Sequence, residues 1–378
     1  MDPLADLLDG PRARGAFLLR SVLDPPWSVR VEDRAPLTLL TMSHRDACVT
    51  VPGDRSPTPD AVRLRPGDLA ILRGPDPYTV ADSPETAARP PRVIIHPGQI
   101  SATPEGDPLC EAMDLGIRTW GDAPQSPEER AASDSAIMLS GTYQLHGEIN
   151  QPLLRALPAL ALLPAVAAHP SLGPLLSLLA EEIGRDEPGQ DVVLDRLLDL
   201  LLVAALRLWF SRPEAQAPPW YRAQSDPVVG RALRFLHEDP ARPWTVSALA
   251  AATGVSRAAL GRRFTRLVGE PPMTYLTHRR LDLAADLLRE PDLTIGAVAR
   301  RVGYGSSFAL STAFKRVRGI SPQDHRNRHL PQPPAPPTLP APPGSPCTGP
   351  VPAPGTPGRS PRSSATARAA ATGRAAQV

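Results

Sequence analysis

The chain of 378 residues is long enough for about two domains, and its formal net charge of +2 conceals a strong asymmetry along the sequence. Residues 230–330 contain 17 Lys and Arg against 8 Asp and Glu, a net charge of +9, whereas residues 1–229 carry a net charge of −11. A polyanionic partner is therefore expected for the basic module alone.

Cysteine use and hydropathy exclude several other classes of protein. Cys48, Cys110 and Cys347 form no CxxC pair, and their odd number argues against a disulfide framework. Three aspartates within the first nine residues stand where a signal peptide would be basic. The most apolar run, 197–210, is too short to span a bilayer and is interrupted by two charged residues. We expect a soluble cytoplasmic protein with no membrane partner.

Residues 1–146 predict a series of short β-strands separated by turns such as Pro66-Gly67-Asp68 and Gly74-Pro75. This pattern is typical of a sandwich or a barrel. The stretch from Ala61 to Val80 resembles the strand, Pro-Gly-Asp turn and strand of cupins, which implies a cupin-like β-barrel that serves as an effector or sensor domain. The candidate strands are Leu37–Met42, Ala47–Val51, Ala61–Leu64, Leu69–Leu72, Tyr78–Ala81, Val93–His96, Ile117–Trp120 and Ala136–Leu145.

The cluster of His and Glu that metal-using cupins carry is not evident in this sequence. Only His44 lies in the earlier stretch, and Tyr78 occupies the neighbourhood of the later His. Because a metal site needs three or four converging ligands, we expect neither a metal nor another cofactor. A small-molecule pocket is the remaining option for the barrel, with ordinary core packing as the alternative for each side chain. Its candidate lining residues are Trp27, Tyr78, His96, Trp120 and Tyr143.

Residues 147–212 predict leucine-rich helices, because apolar residues recur there at helical spacing. Leu153, Leu157, Leu160 and Leu163 belong to this pattern. The apolar faces exceed what one barrel wall can cover, so this segment is expected to join two chains in a homodimer; intramolecular packing is the alternative.

Proline-rich composition marks the two remaining non-helical segments. Residues 213–227 read as a linker, in which Trp220 and Tyr221 are expected to dock onto a neighbouring domain. The Pro- and Ala-rich tail, residues 330–378, cannot bury a core and is expected to be disordered.

The basic module, residues 228–329, contains one pattern twice, from Val246 to Phe264 and from Ile295 to Arg316, at an offset of about 50 residues. Each copy predicts a short helix, a glycine turn and a second helix with a serine N-cap. This is the pattern of a helix-turn-helix, whose second helix fits the major groove of DNA. The paired positions are Ala250 with Ala299, Gly254 with Gly303, Ser256 with Ser306, Leu260 with Leu310, and Phe264 with Phe314.

Residues 244–326 carry Leu249-Ala250, Arg263-Phe264, Val302-Gly303-Tyr304, Phe308 and Gly319-Ile320-Ser321-Pro322, and in this order they resemble the DNA-binding domain of AraC/XylS-type transcriptional regulators. The front half resembles the cupin-type sensor of one branch of that family. The resemblance implies a sequence-specific, ligand-responsive regulator of transcription, not an enzyme, that lays two helices into successive major-groove faces of double-stranded DNA. A small-molecule effector and RNA polymerase are the other partners it implies. A cupin-fold enzyme, or a dimerisation barrel, with an appended DNA-binding module is the alternative.

The predicted fold is an α+β multidomain chain with a cupin-like β-barrel, a helical dimerisation segment and an all-α tandem helix-turn-helix domain. On the first recognition helix, the residues left for DNA are Ser256, Arg257, Ala258, Gly261 and Arg262. On the second they are Ser306, Ser307, Ser311, Thr312 and Lys315. Phosphate contacts are predicted for Arg263, Arg266, Arg300 and Arg316.

Arg262 is the predicted base reader, because a guanidinium can fork onto guanine O6 and N7; a phosphate contact is its alternative role. The short hydroxyl side chains of the second helix suit phosphate and water-mediated contacts, so most of the sequence readout is expected from the first helix. Gly261 stands where the family has a larger polar residue, which removes one base contact.

Overall fold

The computed structural model describes residues 17–52, 61–96, 113, 115, 118–122, 134–143, 151–185 and 187–329. Strands dominate its first part and helices its second. Residues 1–16 lie outside the described residues, as does the tail, for which disorder was expected. The strands are β1 Phe17–Leu23, β2 Ser28–Val31, β3 Leu37–His44, β4 Ala47–Thr50, β5 Ala61–Leu64, β6 Leu69–Arg73, β7 Tyr78–Ala81, β8 Val93–Ile95, β9 Thr119–Gly121, β10 Ala136–Tyr143 and β11 Leu160–Leu163.

These strands form two sheets, one of six in the order β11-β6-β3-β10-β1-β9 and one of five in the order β5-β4-β7-β2-β8. β3 lies between β6 and β10 and pairs antiparallel with both, with Leu39 opposite Ile71 and Gly141. Successive side chains of β3 point to opposite faces, so Leu40 enters the core between the sheets while Leu39 faces the helices. Both faces are apolar because both are covered.

Two expectations are corrected here. Among the described strands no closed barrel is found, and the cupin-like region consists of two hydrogen-bonded sheets that share one apolar core. The helical pattern through Leu160 and Leu163 was misread, because these residues form β11, which pairs with β6 at the edge of the six-stranded sheet. Pro158 and Pro164 flank this segment, and proline disfavours helix continuation on either side.

The helices are α1 Pro84–Ala87, α2 Gln151–Arg155, α3 Gly173–Glu182, α4 Gln190–Phe210, α5 Pro219–Arg222, α6 Val229–Glu238, α7 Val246–Thr253, α8 Arg257–Val268, α9 Pro272–Leu287, α10 Ile295–Arg301, α11 Ser307–Arg318 and α12 Pro322–His329. The four helices predicted for the two copies of the repeat are observed as α7, α8, α10 and α11. α12 was not predicted, because the proline that was expected to stop the second unit instead occupies the first turn of another helix. No helix within the described ranges combines the length and the apolar character needed to cross a membrane.

The 21-residue helix α4 covers the outer face of the six-stranded sheet. Its close approach depends on Gly141 of β10, since a Cβ atom there would lie 2.8 Å from Leu198 Cδ2. The hydroxyl of Tyr143 donates a hydrogen bond of 2.8 Å to the carbonyl oxygen of Leu198, and this side chain is fully buried. Sheet and helix therefore share one core, in which each fully buried leucine stabilises the fold by about 1.5–3 kcal/mol.

The segment predicted as a linker is packed rather than extended. Tyr221 of α5 lies 5.1 Å from Phe210 at the end of α4, measured between ring centroids. Trp220 contacts the core beneath α4 and also the core of the basic module. The docking role expected for these two aromatic residues is confirmed.

Candidate nucleic-acid interface

Each of the four helices of the tandem repeat (α7, α8, α10 and α11) begins at a hydroxyl side chain. The caps are Thr245, Ser256, Thr294 and Ser306, and each accepts a hydrogen bond of 3.1–3.2 Å from the amide three residues further on. Such a cap contributes about 1 kcal/mol to helix stability. The repeat seen in the sequence is therefore a repeat of capped helices.

Each copy of the repeat encloses its own small core. Leu260 and Phe264 are fully buried in the first, and Leu310 and Phe314 in the second, so all four inward positions are confirmed. Helix α9 joins the copies by contributing Leu276 to the first core and Leu281 to the second. With these residues inward, the opposite faces of α8 and α11 are turned outward.

The two turns differ in their surroundings although both glycines have positive φ. Gly254 has a φ of 75°, and a Cβ atom placed on it would meet nothing within 4 Å. Gly303 has a φ of 84°, and a Cβ atom there would lie 2.5 Å from the carbonyl oxygen of Ala241, in the loop between α6 and α7. The turn of the second copy is thus packed directly against the first.

Arg280 of α9 reinforces this contact. Its Nε donates a hydrogen bond of 2.7 Å to the carbonyl oxygen of Pro240, and its Nη2 donates one of 2.8 Å to that of Arg242. The guanidinium carbon also lies 5.9 Å from the centroid of the Tyr304 ring, which follows Gly303. We refer to Arg280, Ala241, Gly303 and Tyr304 as the inter-unit clamp, because they hold the two copies in one orientation.

The outer face of α8 combines basic and small side chains. Ser256, Arg257, Ala258 and Arg262 are exposed, as is Arg266 one turn later. Gly261 leaves a gap between them, since a Cβ atom there would meet no other atom within 4 Å. The face therefore has room for a ligand to approach the helix backbone closely.

Arg263, one of the predicted phosphate contacts, is held within the protein. Its Nε donates a hydrogen bond of 2.8 Å to Asp226 Oδ2, and its Nη2 forms an ion pair with the same oxygen at 2.7 Å. Asp226 Oδ1 in turn accepts the amide hydrogens of Val228 and Val229 at the start of α6. Arg263 thus ties the first recognition helix to α6.

The outer face of α11 contains Ser307, Thr312, Lys315 and Arg316, all exposed, with Ser311 half-buried beside them. Ser306 points its Oγ at the amide of Ala309 as the helix cap. Arg300, on α10, is also exposed. The polar residues predicted to face DNA in the second unit therefore lie on one accessible surface.

The five candidate effector residues lie in three different parts of the structure. Trp27, Tyr78 and Trp120 lie in the core between the two sheets, and burial raises the pKa of the Tyr78 hydroxyl. Tyr143 belongs to the other core, beneath α4. His96 is half-exposed, with its Nδ1 3.7 Å from Glu32 Oε2. Three of the five predicted residues are thus brought together.

Two polar atoms in that core stand out. The indole Nε1 atoms of Trp27 and Trp120 are buried and have no hydrogen-bond partner within the part of the chain that the structure describes. Buried indole N–H groups ordinarily find an acceptor. In the same described residues, no group of three or more His, Cys, Asp or Glu is placed to hold a metal ion.

Comparison with known proteins assigns both parts of the chain. Residues 2–211 match the family model described as Cupin, and residues 249–328 match the one described as Helix-turn-helix domain. A putative AraC-like transcription regulator of Streptomyces antibioticus is 32% identical over 333 residues, which cover 88% of this chain and 100% of that protein. The chain belongs to the AraC family of transcriptional regulators.

Two further relatives support the assignment. A putative AraC-like transcription regulator of Streptomyces lividans is 33% identical over 86% of this chain and 98% of its own length. The HTH-type transcriptional regulator AlkR of Acinetobacter baylyi is 29% identical over 68% of this chain and 86% of its own length. The predictions of a cupin-type front half and a DNA-binding transcription regulator are confirmed.

One side chain of this AraC-family domain was not predicted to face DNA. Phe308 in the first turn of α11 has 80% of its surface exposed. The sequence did contain a signal for it, because the repeat pairs Phe308 with Ala258, which was assigned to the DNA-facing side of α8. The sequence prediction instead included Phe308 only among the residues that resemble the family's DNA-binding domain.

Proposed function

We propose that α8 and α11 are the two recognition helices and that they enter successive major-groove faces on one side of the duplex. The observation that supports this most is the inter-unit clamp, together with α9, because it gives both helices one fixed relative position. Helix α9 has 16 residues and a length of about 24 Å, so it can separate two units on the scale of one DNA turn, about 34 Å.

Arg262→Ala is expected to weaken binding to the cognate site by about 1–3 kcal/mol, roughly 5- to 150-fold in Kd, and to leave binding to random duplexes much less affected. The reason is that a base contact discriminates between sequences and a phosphate contact does not. Fluorescence anisotropy at one fixed salt concentration, with the footprinted site and a scrambled duplex, measures both constants.

Arg266→Ala is the matched control, because Arg266 is exposed on the same helix one turn later and is proposed to contact phosphate. It should weaken binding to both duplexes by similar factors and reduce the salt dependence of binding. An equal loss on both duplexes for Arg262→Ala would show that Arg262 is only a phosphate contact.

We further propose that the core between the sheets takes a small-molecule effector that accepts hydrogen bonds from Trp27 and Trp120. The two indole N–H groups, which have no hydrogen-bond partner among the described residues, support this site. A ligand that binds only the folded chain raises its melting temperature, so a thermal-shift screen of metabolites tests the idea. Trp220 contacts both the core beneath α4 and the core of the basic module. It therefore offers a route from the cupin-like region to the recognition helices.

Helices α3 and α4 are proposed to form the homodimer interface. Leu178, Val192, Val193 and Leu200 expose 50%, 63%, 45% and 56% of their surfaces. Val193 and Leu200 are seven residues apart, about two helical turns, so they share one face of α4. Large apolar side chains exposed on neighbouring helices in this way support an interaction site.

The double variant Val193→Asp/Leu200→Asp is expected to be monomeric at concentrations at which the parent chain is dimeric, because charges at the centre of an apolar interface are costly to desolvate. Sedimentation equilibrium measures the masses. Ser247→Asp, at an exposed polar position on α7 outside the proposed interface, should leave the mass unchanged. A parent chain that sediments as a monomer throughout would count against the interface.

The remaining assignments follow the same proposal. Residues 1–146 would be the sensor, 147–212 the dimerisation segment, 213–227 the linker and 228–329 the DNA-binding domain, with residues 330–378 as a tail. The chain would act in the cytoplasm, without catalytic activity, and RNA polymerase would be the partner through which it changes transcription. The relatedness to transcription regulators supports each of these roles.

A further inference from the structure

Phe308 is the most exposed large hydrophobic side chain in the described residues, with 80% of its surface accessible. It lies two residues after the N-cap Ser306, in the first turn of α11. The core of the second unit is formed by Leu310 and Phe314 on the other side of the helix, and Phe308 is not part of it. An aromatic ring exposed to water among the hydroxylated and basic side chains of the outer face of α11 calls for a partner outside the unit.

The internal repeat indicates where that partner lies. Ser256 aligns with Ser306 and Leu260 with Leu310, so Phe308 takes the place of Ala258 on the first recognition helix. The N-terminal residues of a recognition helix are the ones that contact base edges in the major groove. Thr312 lies four residues further on, one turn along the same face, and is also exposed. Phe308 is therefore at a base-reading position.

The chemistry of the groove narrows the choice of base. The edges of all four base pairs present hydrogen-bond donors and acceptors in the major groove, and the one apolar group among them is the C5-methyl of thymine. A phenyl ring has no donor or acceptor with which to read the other groups. Phosphates are equally unsuited to an apolar ring, because they are charged and hydrated.

We propose that Phe308 packs against the C5-methyl group of a thymine at one fixed position in the half-site read by α11. This assignment rests on the proposed insertion of α11 into the major groove. It makes the second helix a contributor to sequence readout through apolar contact, beside the hydroxyl groups of Ser307 and Thr312. The ring would exchange its contact with water for contact with the methyl group.

The test removes the methyl group alone. Footprinting first locates the site, and each thymine of the second half-site is then replaced in turn by deoxyuridine. The full chain is expected to lose about 4-fold in affinity at one position, the value for one buried methyl group. Phe308→Ala should lose a similar or larger factor on the natural site and become indifferent to deoxyuridine at that position. Phe308→Leu, which keeps an apolar side chain, should retain part of the sensitivity.

Val317→Ala is the matched control, because Val317 is an exposed apolar residue near the other end of α11. It should bind as the parent chain does and keep the full response to deoxyuridine. Circular dichroism melting of each variant checks the fold, which a change at an exposed position leaves intact.

Four results would overturn the assignment. Parent-like deoxyuridine sensitivity in Phe308→Ala, or insensitivity of the parent chain at every thymine, would leave DNA binding intact and remove the methyl contact. A Phe308→Ala chain that binds the site normally but no longer activates or represses transcription would place Phe308 against a protein instead. A parent chain that protects no duplex would overturn the proposed function and this assignment with it.

Discussion

Gly303→Ala is expected to lower the free energy of unfolding by about 2–5 kcal/mol, whereas Gly254→Ala, at the matching turn of the first copy, should lower it by about 1–2 kcal/mol. Both glycines have positive φ, so alanine is strained at both positions. Only at Gly303 would the new methyl group also meet backbone, at 2.5 Å from Ala241 O and 2.8 Å from Ala241 Cα. Backbone cannot rotate away as a side chain can, and overpacking of this kind costs about 1–3 kcal/mol more.

Urea denaturation of the full chain, followed by circular dichroism, compares the two variants. The pair is well matched because the turns are related by the repeat and each substitution adds one methyl group. Equal losses would mean that the loop between α6 and α7 yields freely, and that the inter-unit clamp does not hold the copies together.

Asp226→Ala is expected to destabilise the fold by about 2 kcal/mol, because one carboxylate both caps α6 and pairs with Arg263. Oδ1 accepts hydrogen bonds of 3.0 and 2.9 Å from the amides of Val228 and Val229, which caps α6. Oδ2 accepts the bonds from Arg263 on α8. The cap contributes about 1 kcal/mol, and the charged hydrogen bonds contribute about 1 kcal/mol more, since Arg263 is 40% exposed and screened by water.

Asp226→Asn separates the two tasks. The amide oxygen can still accept from the α6 backbone, but the residue no longer carries a charge for Arg263, so about half of the loss is expected. A loss as large as that of Asp226→Ala would assign the whole effect to the ion pair. The same chemical denaturation experiment measures it.

The same residue gives the stability a defined dependence on pH. Burial alone raises the pKa of Asp226, but the amides of Val229 and Val228 and the Arg263 guanidinium together bring its pKa below the ordinary value. A carboxylate whose folded pKa is lowered stabilises the fold above its unfolded pKa, about 3.9. That contribution is lost as the pH falls through the lower folded pKa. The difference in stability between the parent chain and Asp226→Asn should therefore shrink below about pH 4, and a constant difference would contradict the mechanism.

Local rules account for the parts of the fold that the sequence predicted well. The inward positions Leu260, Phe264, Leu310 and Phe314 follow from helical periodicity, and the caps follow from hydroxyl residues placed before each helix. Each of these features depends on residues a few positions apart. This is why the helix-turn-helix units were recognised twice in the same chain.

Features that depend on distant partners were not predictable in the same way. β10 pairs with β3 and β1, which lie about 100 residues earlier, and no local pattern sets that order. β11 was taken for helix because its leucines also fit helical spacing. The pairing of Arg263 with Asp226, 37 residues away in the chain, follows from no local pattern either.

Phe308 shows a different limit of prediction from the sequence. Periodicity identifies which residues face inward, and it says nothing of what an outward aromatic ring contacts. Ala258 and Phe308 occupy equivalent positions of the repeat, so the DNA-facing position predicted for Ala258 also indicates Phe308. Comparing the outward positions of repeated units is a way to find such residues.

The clamp between the two copies has a consequence for the genes that such a protein can control. Inserting one base pair between the half-sites moves the second about 3.4 Å along the duplex and turns it by about 35° around the axis. Arg280 and Gly303 hold the two helices in one relative orientation. The protein therefore cannot contact both half-sites at once after this shift and rotation. In the promoters that it controls, we therefore expect the base sequence between the two contacted segments to vary. The number of base pairs between those segments should be the same across the genome.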